Sequence, residues 1–514
     1  MKKIRAIFLS GIVVCSWSGT IAQSTAETAL LFSRISNGGS ARVMGMGGAS
    51  VSLGGDFTSA VSNPAGLGMF NRSEFTITPM YSSNNNHTTY LGNKVNDGKT
   101  NLSIPSLGFV FQNPKDQDKW ISSTFSITLT RMNDFNSVMT YEGRNLHNSI
   151  GDYFANDSYG IDPSTFAQSD MSLNRLAFDN YLIDPYQDSP TDPYYYGSAI
   201  GANIDPNYPD DLPNVTQRET KTISGAQNQW TGAYAVNIDD KFFFGAGVHL
   251  RSIRFESKSH YQESNYDFPN APGGNYNPMN SVLLEETLKV TGSGYSLTLG
   301  AIMRPIDGFQ IGLAFNTPTV YTMSDAYTGR IASDWKVDVD GDGLVDRFDY
   351  STDKLLADYK LKTPGRVSLG TTYFFGKNGF ISGDAEFLYF GNAKYKNNPD
   401  YETDNPQIKS LYRPSANIRL GGEYRLKIYR FRGGLGFQTD PFADVQNNIS
   451  RTISTLSLGA GIRKEKYYVD VALVRYAGNN SYRPYSLPSN YSPLVKINNH
   501  VTNFVVTVGI PFFR

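Results

Sequence analysis

Ala416-Asn417-Ile418-Arg419-Leu420-Gly421-Gly422-Glu423-Tyr424-Arg425-Leu426-Lys427 alternates without a break. Ala416, Ile418, Leu420, Gly422, Tyr424 and Leu426 fall on one face, and Asn417, Arg419, Gly421, Glu423, Arg425 and Lys427 on the other. A period of two is that of a β-strand, and this strand has one apolar and one charged face. The pattern spreads outward from here. Tyr429, Phe431, Leu435 and Phe437 share a face opposed by Arg430 and Arg432. Ile381, Ala385, Phe387 and Tyr389 oppose Asp384 and Glu386, and Phe504, Val506, Val508, Ile510 and Phe512 form an apolar row backed by Thr507 and Gly509. A soluble sandwich also alternates. Two features favour a membrane barrel: aromatics recur near strand ends, and the connections alternate in length.

Fourteen candidate strands follow from this reading. They begin near Glu74, Ile104, Trp120, Trp230, Phe243, Thr291, Phe309, Arg366, Phe380, Ser415, Tyr429, Thr452, Tyr467 and Val501. Short turns (113–119, 238–241, 304–308, 376–379, 463–466) alternate with long polar segments (132–229, 259–290, 325–365, 391–414, 477–500). Short periplasmic turns and long outer loops are the pattern of outer-membrane barrels, and an even strand number leaves both ends in the periplasm. The largest insertion, 132–229, is expected to fold over the barrel mouth, with a short helix within Ser172–Ile183. The expected fold is all-β: a transmembrane antiparallel barrel of about 14 strands over 74–514.

Composition agrees. The chain has 33 tyrosines, 31 phenylalanines and 48 glycines, and a net charge of −1, which gives nucleic acid no basic surface to bind. No run after the first residues is long and apolar enough for a membrane helix. The beginning, MKKIRAIFLSGIVVCSWSGTIAQS, has a basic start, an apolar stretch Ala6–Trp17 and a cleavage pattern ending at Ala22. Residues 1–22 are expected to be a secretory signal peptide. Cys15, the only cysteine, lies inside it, so the exported chain has no disulfide.

Between signal and barrel (23–73) lies Gly38–Gly68, GGSARVMGMGGASVSLGGDFTSAVSNPAGLG, with nine glycines in 31 residues. It is too glycine-rich for a stable helix. Two fates are open: a periplasmic linker, or a plug packed closely inside the lumen. Asn63-Pro64-Ala65-Gly66 reads as a rigid turn. The run Gly39–Ala49, followed by Ser59-Ala60-Val61-Ser62 and Asn63-Pro64-Ala65-Gly66-Leu67, resembles the FadL/TodX outer-membrane transporters of long-chain fatty acids and other hydrophobic molecules. The resemblance is specific over Gly38–Phe70; beyond that, only the strand layout agrees. It implies a fourteen-stranded barrel with an N-terminal hatch inside the lumen, in which Asn63, Pro64, Ala65 and Gly66 serve as the gate. It also implies passive uptake of a hydrophobic small molecule such as a fatty acid, with exit sideways through a gap in the wall. Pro105 is a candidate for that interruption, or simply a proline at a strand start.

Asp338-Val339-Asp340-Gly341-Asp342-Gly343-Leu344-Val345-Asp346-Arg347-Phe348-Asp349 reads D-x-D-x-D-G-x-x-D-x-x-D. Asp338, Asp340, Asp342, Asp346 and Asp349, with the Leu344 carbonyl, follow the spacing of a calcium loop. The expectation is a structural Ca²⁺ of ~10⁻⁴–10⁻³ M affinity in an outer loop; the plain alternative is an acidic turn.

The five histidines are scattered, with no zinc spacing and no nucleophile elbow, so no enzyme is expected. His249, Arg251 and Arg419 fall on the lumen face and are candidate contacts for a ligand head group. Arg419, Arg425, Arg430 and Arg432 either offset Glu423, Asp384 and Glu386 or receive an anion. The expectation is a monomeric uptake channel in the outer membrane of a Gram-negative bacterium, among outer-membrane lipid. The alternative is an accessory barrel of a protein secretion system. A lumenal pocket beside the hatch favours uptake, a lumen filled with charged pairs favours secretion, and an open polar channel a porin.

Overall fold

The computed structural model describes residues 25–36, 38–115, 119–166, 172–200, 214–267, 277–444, 448–488 and 492–512. The expected signal peptide and the final Phe513-Arg514 lie outside them.

Fourteen antiparallel strands close into one barrel. They are β1 Ser73–Tyr90, β2 Asn93–Pro114, β3 Trp120–Asp134 with its continuation Ser137–Asn145, β4 Asn214–Ile238, β5 Phe242–Asp267 and β6 Met279–Ile306. Then come β7 Phe309–Asn316 continued by Val320–Trp335, β8 Leu355–Lys362 continued by Arg366–Phe374, β9 Gly379–Tyr389 and β10 Pro414–Leu426. β11 Tyr429–Gln438, β12 Ile453–Arg463, β13 Tyr468–Tyr482 and β14 Val495–Phe512 complete the wall. β14 pairs with β1, from Ser73↔Phe512 to Thr89↔Lys496, which closes the ring.

The alternation sorts the two faces as the sequence predicts. Ile418, Leu420, Tyr424, Phe431, Leu435, Phe437, Leu456, Leu458, Phe504 and Ile510 are all exposed on the outside. A contiguous exposed apolar surface of this extent is a lipid-facing belt. Their neighbours in sequence turn inward: Arg419, Glu423, Arg432 and Asp470 are buried. The arginine stripe is ion-paired: Arg432 meets Glu423 at 2.8 Å and Asp470 at 2.7 Å, Arg425 meets Glu423 at 2.8 Å, and Arg419 meets Glu386 at 3.3 Å. Arg430 instead donates to the Lys427 and Tyr429 carbonyls beside the β10–β11 turn.

The outer segments differ from the sequence expectation. Much of the predicted loop is strand. β4 begins at Asn214, β5 runs to Asp267 and β6 starts at Met279, so the 259–290 loop shrinks to a connection. The 325–365 segment is mostly ladder, since β7 extends to Trp335 and pairs there with Arg347–Ser351, while Leu355–Lys362 pairs with Val320–Tyr327. These parts carry polar residues on both faces: the outer face stands in water, while the inner one buries hydrogen-bonded Gln217, Glu219, Glu263 and Glu286 beneath the cap, and that erases the period-two signal.

The 132–229 insertion folds over the mouth. Three helices, α1 Thr25–Ser33, α2 Ala41–Met44 and α3 Ser59–Ser62, precede the barrel, and the insertion holds α4 Ile150–Asp157, α5 Pro163–Phe166 and α6 Leu173–Asp179. α6 sits inside the tract expected to be helical, and its cap is Ser172, whose hydroxyl accepts from Arg175 N. α4 carries a capping box, Ser149 with Asp152. Phe154, Leu176, Leu182 and Tyr196 from the insertion pack with Tyr90, Tyr261, Met279 and Trp335 of the wall into one apolar core.

The plugged lumen and its cavity

The N-terminal segment lies inside the barrel. It comprises α1 Thr25–Ser33, α2 Ala41–Met44, α3 Ser59–Ser62 and a 3₁₀ turn Pro64–Met69. Local polar clips shape it. Ser40 caps α2, donates its N–H to Thr58 Oγ1 (3.0 Å), and donates its hydroxyl to Asp56 (2.7 Å). Anchors reach it from around the ring: Thr507 of β14 accepts Ala41 N at 2.7 Å, and Ser457 of β12 accepts Gly47 N at 2.8 Å. Asp384 of β9 accepts Ser50 N and Val51 N at 2.6 and 2.9 Å. Partners on opposite sides of a closed wall place the segment in the lumen as a plug.

The Asn-Pro-Ala-Gly turn is a rivet in this plug. Asn63 is fully buried; its Oδ1 accepts Ala65 N at 3.1 Å and so caps the 3₁₀ turn, where Pro64 stands at the start. Its Nδ2 donates to Val51 O (2.7 Å), Ala301 O on β6 (3.3 Å) and Leu313 O on β7 (3.3 Å). One amide thus ties two parts of the plug to two wall strands. Gly66 is required by contact: a Cβ there would stand 2.7 Å from Leu53 O.

The wall is shaped to receive the plug. A Cβ on Gly300 would stand 1.9 Å from Asn63 Oδ1, on Gly312 2.3 Å from Val51 O, on Gly245 2.4 Å from the Pro64 carbonyl carbon, and on Gly434 2.1 Å from the Met46 carbonyl carbon. Real Cβ atoms do not approach so closely. Glycines on both sides let two backbones meet.

The plug does not fill the lumen. On its outer side is a cavity of about 560 Å³, within the range of small-molecule sites. Leu30, Leu31, Met80, Phe135, Ile223 and Phe255 line one part, while Asn84, Asn86, Asn101, Asn480, Asn499 and Asn503 line another. The lining is therefore amphiphilic.

The cavity meets a break in the wall. The β2–β3 ladder runs from Pro114↔Ser122 up to Ser106↔Thr130 and stops. Above it, β3 and its continuation pair only with β4 among the described residues. Pro105, which has no N–H to donate, marks the end, opposite a bulge between Thr78 and Met80. Lys99, Asn101, Pro105, Arg131 and Asp134 at this break all line the cavity. Leu102, alongside, points outward and is 76% exposed; it pairs with Tyr81, which pairs with Phe504 of the apolar belt. The break thus lies at the level of lipid, bridged by side chains: Asn101 Nδ2 donates to Asp134 Oδ2 (2.9 Å) and Thr140 N to Asp97 Oδ2 (2.6 Å).

The head-group candidates lie elsewhere. His249 is buried and held by Thr298 (2.6 Å), Gln229 and Thr231. Arg251 donates to Gln229 (2.7 Å) and Thr319 (2.8 Å), and Arg419 is paired with Glu386. Arg251 and Arg419 border a narrower space of about 50 Å³ beside the plug, and none of the three lines the large cavity. Alternation gave the correct face and could not give the height. Five cations do line it: Arg34, Lys99, Lys221 and Arg451 sit in polar stretches with no amphipathic pattern to mark them, and Arg131 follows the Phe125, Ile127, Leu129 row at the point where the β3–β4 register shifts.

In the acidic loop the carboxylates of Asp338, Asp340, Asp342 and Asp346 come within 4.8 Å of one another. Asp338 accepts from Gly341 N and Gly343 N, and Asp346 from Val339 N, which winds the loop around them. Leu344 is exposed in the same loop. Asp349 is not in the cluster: it forms a two-point pair with Arg330 (2.7 Å each), which holds its carboxyl below the usual carboxylate range. Asp349 lies in the short strand opposite Ala332, and that pairing directs it away.

These features define a class: a plugged, fourteen-stranded outer-membrane barrel. No protein-family profile matches the chain, and no curated protein matches it. Solved structures do. A Pseudomonas aeruginosa FadL homologue superposes with a TM-score of 0.52 at 14% identity, covering 93% of this chain and 99% of that one. The Pseudomonas putida toluene transporter TodX gives 0.50 at 12% identity, covering 92% and 98%. At such identities the likeness is one of fold.

Proposed function

We propose that this protein is a channel, not an enzyme, for passive uptake of hydrophobic molecules across the outer membrane. The observation that carries the reading is the cavity above the plug that meets a ladder break at belt height. An apolar molecule is poorly soluble in water and in surface sugars, so an enclosed path with an apolar lining lowers its transfer cost. A side exit delivers it into lipid without crossing the plug. The toluene transported by the TodX neighbour and long-chain fatty acids are both cargoes of this kind. The periplasmic half of the lumen holds charged pairs, as a secretion partner would, but the outer half holds the pocket, and this favours uptake. Native mass spectrometry of protein extracted from its own membrane is expected to find one amphiphile bound per chain. Protein that is always empty, together with free passage of small sugars through it in liposomes, would refute the reading.

We also propose that Asp338, Asp340, Asp342 and Asp346 hold a structural Ca²⁺. The loop joins the cap core: Trp335 N donates to Asp346 O (3.0 Å), and Trp335 Nε1 to Asn180 O (3.2 Å). Calorimetric titration is expected to show one site of ~10⁻⁴–10⁻³ M that Asp340→Ala removes. Equal heats from both proteins would refute it.

A further inference from the structure

The net charge of −1 conceals an uneven distribution on the periplasmic turns. The β8–β9 turn carries Lys377, the β10–β11 turn Lys427, and the β12–β13 turn Lys464 and Lys466 with one acid, Glu465. These lysines are exposed, and among the described residues no carboxylate pairs with their ammonium groups. The three turns form one surface. Arg425 N donates to Asn378 O (2.7 Å) and Arg463 N to Ile428 O (2.9 Å), so backbone bonds tie each turn to the next. Arg72, where the chain enters β1, donates to Glu465 O (3.3 Å) and extends the arc. The turns on the other side of the ring are balanced. There Lys241 pairs with Asp239 at 3.4 Å beside Asp240, and Arg304 shares its turn with Asp307.

The arginines of the basic arc are already engaged inward, Arg425 with Glu423 (2.8 Å) and Arg463 with Asp470 (3.1 Å). The lysines face outward with their charge unspent. Lys427 has φ +52°, a left-handed conformation that glycine or asparagine would adopt at lower cost. Lys464 lies over the Tyr467 ring, 5.4 Å from its centre. Around these charges the surface is apolar: Phe375, Ile428, Tyr429, Ile462 and Tyr467 are all exposed. Aromatic rings and long basic stems side by side are the anchors of a membrane interface, where the stem lies along lipid and the ammonium reaches the head groups. A soluble acidic partner needs the charge alone. A phospholipid needs both parts, the lysines for its phosphate and the apolar side chains for its acyl tails.

We propose that the arc of Lys377, Lys427, Lys464 and Lys466 is a binding surface for anionic phospholipid of the inner leaflet. The phosphate sits between neighbouring turns, and the acyl chains lie along Tyr429, Ile462 and the belt above them. The arc lies across the ring from the break between β2 and β3, so a lipid seated on it leaves the side exit uncovered. This surface depends on the orientation of the barrel and not on the uptake reading.

The test places the full mature chain in nanodiscs of phosphatidylcholine and phosphatidylglycerol in equal amounts, lipids that share acyl chains and differ in head-group charge. Native mass spectrometry then counts the lipids that the released barrel keeps. The parent is expected to keep phosphatidylglycerol about tenfold over phosphatidylcholine. Changing the lysines together (Lys377→Gln, Lys427→Gln, Lys464→Gln, Lys466→Gln) is expected to abolish most of that preference, and changing the same positions to arginine to retain it. Lys241→Gln, on the balanced side, is the control and is expected to alter nothing; strand content by circular dichroism shows that each variant folds. Equal retention of the two lipids by the parent overturns the assignment, as does a preference that survives the combined change or falls as far with Lys241→Gln. Displacement of the lipid by inorganic phosphate would make the ligand a free anion and also overturn it.

Discussion

Gly434→Val is expected to expel the plug and turn a closed barrel into a conducting pore. The added Cβ would stand 2.1 Å from the Met46 carbonyl carbon and 2.2 Å from Gly47 N, both backbone atoms. That backbone cannot step aside. Gly47 has φ +67°, and its N–H is bound to Ser457. Asp384 pins Ser50 and Val51 a few residues on. The wall is equally fixed, since Gly434 pairs with Gly421 on one side and Ser457 on the other. The cheapest relief is release of the plug, which the small anchors oppose by only ~1 kcal/mol each. In planar bilayers the variant is expected to conduct on the order of tenfold more than the parent. Gly433→Val is the control: its Cβ faces the lipid side, with nothing nearer than the Leu458 side chain at 4.0 Å. A Gly434→Val barrel of native strand content and parental conductance would sink the plug assignment.

Stapling the break between β2 and β3 is expected to stop transport without stopping binding. Asn101 and Asp134 face each other across it, with Asn101 Nδ2 donating to Asp134 Oδ2 at 2.9 Å. The only native cysteine is Cys15, inside the expected signal peptide, so cysteines placed at 101 and 134 can be joined cleanly by a short, reducible thiol cross-linker. Joined, they hold the two strands together at the break; because Asn101 and Asp134 also line the cavity, cargo binding is measured in the same cross-linked protein. Uptake is expected to fall by about tenfold or more, the scale of losing a committed path, and to return on reduction. The uncoupled double variant measures the cost of losing the bonds of Asp134 to Arg131, Asn101 and Asn136. If the staple leaves uptake unchanged, cargo leaves through the plug and the wall break is structural.

How much of this was legible in the sequence depends on which solvents each stretch touches. β10 and β11 could be read residue by residue because lipid lies on one face and charge on the other. Thr216–Gln229 could not, since its outer face meets water and its inner face buries the polar Gln217, Glu219, Lys221, Gln227 and Gln229, so apolar and polar residues do not alternate. The plug motif was readable because its constraint is local: Asn63, Pro64 and Gly66 must make a tight turn wherever it is placed. Which strands receive it was not, because Gly245, Gly300, Gly312 and Gly434 are scattered through four strands and converge only when the ring closes. Pro105 was visible as a break, but its open side follows from the register of β3. The acidic cluster holds four of the five aspartates that the spacing offered. Spacing offered Asp349, and Arg330, nineteen residues earlier, had already taken it.

The length of the outer strands has a consequence for encounter. β6 has 28 residues, a contour of ~95 Å at about 3.4 Å per residue. Tilted at about 40°, it stands ~70 Å tall, against a lipid band of about 25 Å. Most of the remaining height rises on the outer side, because the inner turns are short. The wall is thus uneven: it rises well above the bilayer where β4, β5 and β6 run 25, 26 and 28 residues, and stays low where β9 to β12 run 10 to 13. Particles too bulky to approach the lipid, such as vesicles, phages or antibodies, touch the tall side first. The folded cap, rather than the belt, is the part of the molecule that the surroundings can select upon.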